Sequence, residues 1–153
     1  MDITFARGCG LLAPLSEDDL HALLDCTIRV PFRKDQEVLH QGQHNASLFV
    51  VQQGTLHVHR HAKGHRVFLG RLEPGSVFGE ISLFDPGVTT AAVSGVSDGA
   101  VIEIRREHLE RFAELRPPAG VRLMLGLLEQ MAQRLRTTDE RLIDSIVWGG
   151  LLK

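Results

Sequence analysis

Two hydrophobic periods divide the chain. Leu20, Leu23 and Leu24 recur at helical spacing behind Ser16, predicting a helix over Glu17–Cys26. Ser16 with Asp19 forms a capping box, and Leu15 with Leu20 its hydrophobic staple. From Thr27 the period shortens to that of β structure. Short apolar runs between turn residues predict eight strands: Thr27–Phe32, Glu37–His40, Ser47–Gln52, Thr55–His61, Arg66–Leu72, Ser76–Phe78, Thr89–Ser94 and Ala100–Ile104. Gly54 closes one of them, and Lys63-Gly64 reads as a hairpin tip. After Ile104 the helical period returns. Leu109, Phe112 and Leu115 mark a helix over Glu107–Leu115, which Pro117-Pro118 is expected to end.

A longer helix then runs from about Ala119 to Val147. Val121, Leu125, Leu128, Ala132, Leu135, Asp139, Leu142 and Ile146 step by four and three, a coiled-coil register with one polar break at Asp139. At 1.5 Å per residue it is roughly 40 Å long, more than a roll of this size can cover. A parallel pair of such helices in a homodimer would bury the seven apolar positions. The bland alternative is a helix folded back on its own roll. The pattern as a whole predicts a mainly β protein with flanking helices (α+β), a double-stranded β-helix or jelly-roll β-roll followed by a long C-terminal dimerisation helix. One domain over 1–153 divides into a helical segment 1–26, the roll 27–104, helices 105–147 and a tail 148–153.

Composition narrows the class only a little. The 153 residues are 43% hydrophobic and 24% charged, ordinary for a globular domain. A net charge of −2 gives no electrostatic reason to expect nucleic acid. No signal peptide and no apolar run of about 20 residues is visible, so a cytoplasmic protein without a membrane partner is expected. Cys9 and Cys26 stand in no metal or redox spacing and read as free thiols.

The richest stretch is 74–93, PGSVFGEISLFDPGVTTAAV. A Pro74-Gly75 turn leads through a β run into Phe78-Gly79-Glu80, a helical turn Ile81-Ser82-Leu83-Phe84, the Asp85-Pro86-Gly87 loop and a small-residue strand. Gly79 lets the backbone approach a neighbour closely. Unpaired N–H groups from Glu80 to Leu83 would favour an anion, and the Glu80 carboxylate would accept from sugar hydroxyls. Such a nest beside an acid suits a phosphorylated sugar. The bland role for Glu80 is to bond the loop backbone.

This run resembles the phosphate-binding cassette of cyclic-nucleotide-binding domains, as found in the catabolite activator family and in cyclic-nucleotide-gated channels and kinases. Phe78, Gly79, Glu80, Ile81, Ser82 and Leu83 match its first half, F-G-E-[aliphatic]-[small]-L. The second half departs from Arg-[Ser/Thr]-Ala, with Thr90 and Ala91 at its first two positions. Glu37–Gly42, Ser47–Gly54 and the run Gln130-Met131-Ala132-Gln133-Arg134-Leu135 also resemble the family.

The resemblance implies a non-catalytic regulatory module that binds cAMP or cGMP. Its ligand would lie against Phe78 to Leu83, Thr89, Thr90 and Ala91, with Thr138 and Asp139 of the long helix reaching the base. The family's cassette arginine neutralises the phosphate. Thr90 leaves Glu80 facing that phosphate with no cation between. A hydrogen bond to a charged group is worth about 1.5–3 kcal/mol. A cyclic dinucleotide is a further ligand option. Phe84 and the Leu125–Leu135 face would transmit the signal. The family's transcription factors continue into a helix-turn-helix domain. Only six residues follow Val147 here, so no direct DNA binding is expected. Two rival classes are a degenerate module serving as an adaptor for a protein partner, and a cupin-like metal enzyme.

The cupin reading uses His57, His59 and His61, which alternate onto one face of a strand and are potential metal ligands. Leu56 and Val58 take the buried face, so the histidines are expected to point to solvent, with no metal bound. Gly54 precedes His57 too closely for the cupin pattern, and Pro74-Gly75 lacks that pattern's later His and Asn.

Overall fold

The computed structural model describes residues 3–85 and 87–148. Pro86 of the predicted loop and residues 149–153 of the predicted tail lie outside the described residues. In chain order the elements are α1 (Thr4–Arg7), α2 (Glu17–Leu24), β1 (Ile28–Phe32), β2 (Glu37–Leu39), β3 (Ser47–Gln53), β4 (Leu56–Ala62), β5 (His65–Leu72), β6 (Val77–Phe78), α3 (Glu80–Phe84), β7 (Ala92–Gly95), β8 (Gly99–Arg105), α4 (Arg106–Leu115) and α5 (Pro117–Trp148). The strands form two antiparallel sheets, ordered β1-β8-β3-β6 and β2-β7-β4-β5. This is the predicted jelly-roll β-roll with its long C-terminal helix.

Three layers follow from how strand alternation sorts the apolar residues. In β3 every residue from Ser47 to Val51 is buried. Leu48 and Val50 pair with Ile104 and Ile102 of β8, and all four pack against the helices. Phe49 and Val51, with Val101, point the other way and meet Leu56, Leu72 and Val93 of the second sheet. The first sheet is therefore the middle layer, covered on both faces.

The helical layer is built from both ends of the chain. The Ser16 cap is as predicted: its hydroxyl donates to the Asp19 carboxylate at 2.7 Å and accepts the Asp19 N–H at 3.2 Å. Arg116 adds a 2.8 Å ion pair to the same carboxylate. The Ser16 hydroxyl, then Arg116, hold Asp19 below the usual carboxylate range. Upstream, α1 and the turn after it bury Ala6, Cys9, Leu11 and Leu12 in the helix-side core, an element that periodicity did not predict. Four helical residues are too few to show a period.

The prolines end α4 as expected, yet they also open α5, two residues ahead of the expected start. A proline in the first helical turn gives up only an N–H that would be unpaired anyway. Only Arg116 separates the two helices. A Cβ on Gly120 would sit 2.8 Å from the Cα and Cβ of Ala113, so glycine permits this close crossing.

One face of α5 carries Ala119, Leu123 and Leu127 into the core. The coiled-coil positions face away: Val121, Leu125, Leu128, Leu135 and Leu142 are each more than half exposed, Ala132 is exposed, and Ile146 is partly buried. Core packing and the apolar seam thus use different faces of one helix, although Ala132 and Leu135 of the seam also border the space between α5 and the roll. Removing the Leu123 side chain, fully buried at this contact, should cost ~2–5 kcal/mol in urea unfolding. A loss within ~0.5 kcal/mol, typical of surface sites, would mean that α5 is not anchored there.

Candidate functional site

The cassette is built on β6. Phe78 stacks on Phe49 with ring centroids 5.0 Å apart, closing one end of the inter-sheet core. The chain then turns through Gly79 at φ 85°, in the left-handed region, and enters α3. A Cβ there would lie 2.6 Å from the Ser47 carbonyl oxygen, so the close approach that requires glycine is to β3. Asn45 secures the corner, its Nδ2 donating to Ser47 O at 2.7 Å and to Gly79 O at 3.5 Å.

A cavity of about 870 Å³ opens between the cassette, the second sheet and α5, within the size range of small-molecule sites. Phe78 to Ser82 and Thr89 to Ala91 form one wall, and Leu39, Val58, Leu72 and Val93 belong to the apolar lining. Helix α5 contributes Gln130 to Leu135, Thr137, Thr138 and Arg141, and β5 adds Arg71. Nine of the eleven predicted ligand residues therefore meet here. Leu83 does not: it is 2% exposed and packs in the helix-side core. Asp139 does not either, since helical rotation turns it outward beside the lining residue Thr138.

Two of the predicted hydroxyls are already committed. Thr89 donates to the His40 carbonyl, and its backbone bonds Gly42 and Gln43 on both sides. These bonds hold residue 89 in a loop, so β7 begins at Ala92, three residues later than expected. Thr138 donates to the Arg134 carbonyl one turn back at 2.8 Å, leaving its oxygen to act as acceptor. Thr90 is exposed at the cavity wall.

The cation missing from the cassette is met from another element. Arg134 of α5 places Nη1 2.6 Å from Glu80 Oε1, and its Nη2 donates to the Val77 carbonyl. Glu80 is thus not left without a cation, and it bonds this guanidinium in place of the loop backbone. Two more guanidiniums lie at the rim. Arg141 donates to the Leu69 carbonyl at 3.3 Å, and Arg71 pairs with Glu73 at 3.1 Å. The signal for Arg134 was present in the sequence, because 119, 123, 127, 130 and 134 continue one helical face from core to cavity. Phe84 and most of the seam of α5 are exposed in the single chain. Among the described residues the cassette meets α5 through the Arg134 hydrogen bonds and through Leu83, which shares a buried cluster with Leu123 and Leu127.

The histidines share a face of β4 as expected, but they do not all point to solvent. His59 is only 2% exposed. Its Nε2 lies 3.5 Å from Glu37 Oε1, and Arg66 Nη2 is 3.2 Å from its Nδ1. Burial first and Arg66 second push the imidazole below its ordinary range, against the opposing pull of Glu37. Among the described residues, no three His, Cys, Asp or Glu are arranged to hold a metal ion. No described helix is long and apolar enough to cross a membrane.

The model of the cyclic nucleotide-binding domain matches residues 29–115. The chain belongs to the cyclic nucleotide-binding domain family. It is 28% identical over 147 residues, 95% of its length, to a "CRP-like cAMP-activated global transcriptional regulator" of Mycobacterium tuberculosis. The solved Thermus thermophilus catabolite activator protein superposes on 87% of it with a TM-score of 0.77 at 27% identity. A solved cyclic nucleotide-binding domain from Methylobacillus flagellatus, 17% identical, covers 94% with a TM-score of 0.83 and shares the fold. The chain spans 63% of the Mycobacterium regulator and 61% of the Thermus chain.

The Gly79 corner gives a direct check on this site. Gly79→Ala must hold a left-handed conformation, at about 1–2 kcal/mol for an L residue, and also move the Ser47 carbonyl. A loss of at least about that size is expected in urea unfolding, with reduced amide protection in α3. A neutral substitution would mean that the corner is not built as described.

Proposed function

We propose that this domain is a non-catalytic sensor that takes a cyclic mononucleotide, cAMP or cGMP, in the cavity between cassette and α5. The observation that carries the reading is the meeting of Glu80, Arg134 and the Gly79 turn on one cavity of about 870 Å³. Arg134 would supply the positive charge that Thr90 does not, standing between Glu80 and the ligand phosphate. Because Arg134 rides on α5, occupancy would favour one position of that helix over another, which is what a signal requires. Isothermal titration with cAMP, cGMP and cyclic di-GMP tests this, with micromolar saturable binding of cAMP or cGMP expected. The double change Thr90→Arg with Ala91→Ser should tighten that binding at least about tenfold, since one charged hydrogen bond is worth ~1.5–3 kcal/mol. No gain in a folded variant would place the phosphate elsewhere.

One observation favours a second reading. Glu80 is already paired with Arg134, so the site is partly self-satisfied without ligand. Silence toward all three nucleotides at millimolar concentration would make the chain a dimerisation or protein-interaction adaptor.

We also infer a homodimer through the outward face of α5. The support is the row Val121, Leu125, Leu128, Leu135 and Leu142, each more than half exposed at coiled-coil spacing. Sedimentation should give a dimer at micromolar concentration, and Leu128→Glu with Leu135→Glu should give a folded monomer. A monomeric wild-type protein would sink the inference.

A further inference from the structure

The buried histidine of β4 is joined to the cavity wall by a short strap of chain. Residues 41–45 connect β2 to β3 and are held from two sides. On the outer side, Gln41 bonds the His61 backbone twice, accepting from its N–H at 2.7 Å and donating to its carbonyl at 3.2 Å. Its neighbour His40 holds Glu37 Oε2 at 2.6 Å, while the other oxygen of that carboxylate faces His59. On the cavity side, Gly42 N donates to Thr89 O at 2.8 Å, and Thr89 N donates to Gln43 O at 2.9 Å. His44 bridges Val88, and Asn45 bonds Gly79. Each half of the cassette is therefore tied to this strap.

The proton on His59 follows from its neighbours. Arg66 can only donate, so the His59 Nδ1 beside it is the bare, accepting nitrogen and the ring is neutral, with Nε2–H toward Glu37. Protonation would set Nδ1–H against the guanidinium at 3.2 Å and release Arg66. The new imidazolium would draw Glu37 toward itself and away from His40. Two imidazoles share one carboxylate, each on a different oxygen, and His40 is the one attached to the strap.

The charged and titratable groups around His59 come from every side. Glu37 stands on β2, His57 and His61 on β4, Arg66 on β5, and Lys34 and Asp35 on the turn before β2. Strand β7 presents only uncharged groups, Ser94 among them, to this cleft of about 470 Å³.

We propose that His59, Glu37 and His40 form an acid-sensitive latch that releases the 41–45 strap and, through Thr89, loosens the cassette wall of the cavity. The proposal adds regulation to the cavity described above, and it rests on that reading only for its consequence. Above about pH 6.5, the ordinary histidine value, the neutral His59 contributes in full to the latched form. That contribution is lost as the pH falls from there through the lowered folded value, because the released form then binds the proton more readily.

The test is amide hydrogen exchange of the full chain between about pH 7.5 and about pH 5.5, the range in which histidines titrate. Rates are corrected for intrinsic pH dependence, and no ligand is added. Protection of the Gly42 and Thr89 amides should fall about tenfold or more on acidification, as in a local opening. Protection of Val50 and Ile102 in the core should stay constant. His59→Gln, which can still accept from Arg66 and donate to Glu37, should keep the strap protected at both pH values. Ring-proton NMR of the wild-type His59 provides the same reading if that variant does not fold: its titration and the loss of strap protection should share a midpoint. Constant strap protection in the wild type, or an equal loss in His59→Gln, would overturn the latch. Failure to bind nucleotides would leave this result untouched, so the two readings fail separately.

Discussion

Double-sided burial of the middle sheet is the constraint on which the rest depends. Leu48, Val50, Ile102 and Ile104 are fully buried only because helices from both ends of the chain cover them. Each such side chain withdraws apolar surface worth about 1.5–3 kcal/mol. An uncovered sheet would expose a continuous aliphatic face. The cover has to include α5, whose Leu123 and Leu127 fill the same cluster. Once those leucines are seated, helical geometry alone carries Arg134 to the mouth of the roll. The charge at the site is in this sense a consequence of the core.

The arrangement divides the charges at the cavity between two elements that are distant in sequence. The cassette supplies the carboxylate and the turn, and α5 supplies the guanidinium. Glu80, only 9% exposed at its side chain, would be costly to keep ionised with no partner. Arg134 offsets that cost and leaves its own side chain partly open to the cavity, at 43% exposure. A threonine in the cassette is therefore compatible with a folded pocket. Charge balance within the protein does not demand an arginine at position 90.

Much of the architecture was legible in the sequence because its alternation is clean. Strand ends agreed to within a residue at seven of the eight strands, and the Ser16 capping box formed as its spacing implied. The lapses have physical reasons. Thr89 looks like strand by composition, but its hydroxyl and both backbone groups are engaged by the 40–43 loop, which only tertiary structure can reveal. His59 follows the expected alternation yet is buried, because Arg66 from the adjacent β5 and Glu37 from β2, across β7, close over it. Family resemblance places Asp139 and Leu83 at the cavity, Leu83 also through an N–H expected to be unpaired, which instead bonds the Gly79 carbonyl at 3.3 Å. Helix rotation turns the first outward, and core packing claims the second. Arg134 was legible in principle, as the next step of the 119–123–127 face, but its partner Glu80 is 54 residues away.

The long helix is held unevenly along its length. Up to Leu127 it is embedded in the core, and beyond that its described polar ties to the roll are those of Arg134 and Arg141. From Leu127 to Val147 it extends about 30 Å at 1.5 Å per residue, a lever whose fulcrum is a leucine. A tilt of about 10° at that fulcrum displaces the far end by about 5 Å, close to one helical turn. Any displacement of Arg134 would thus be magnified at the far end of the rod, about three times more distant from that fulcrum.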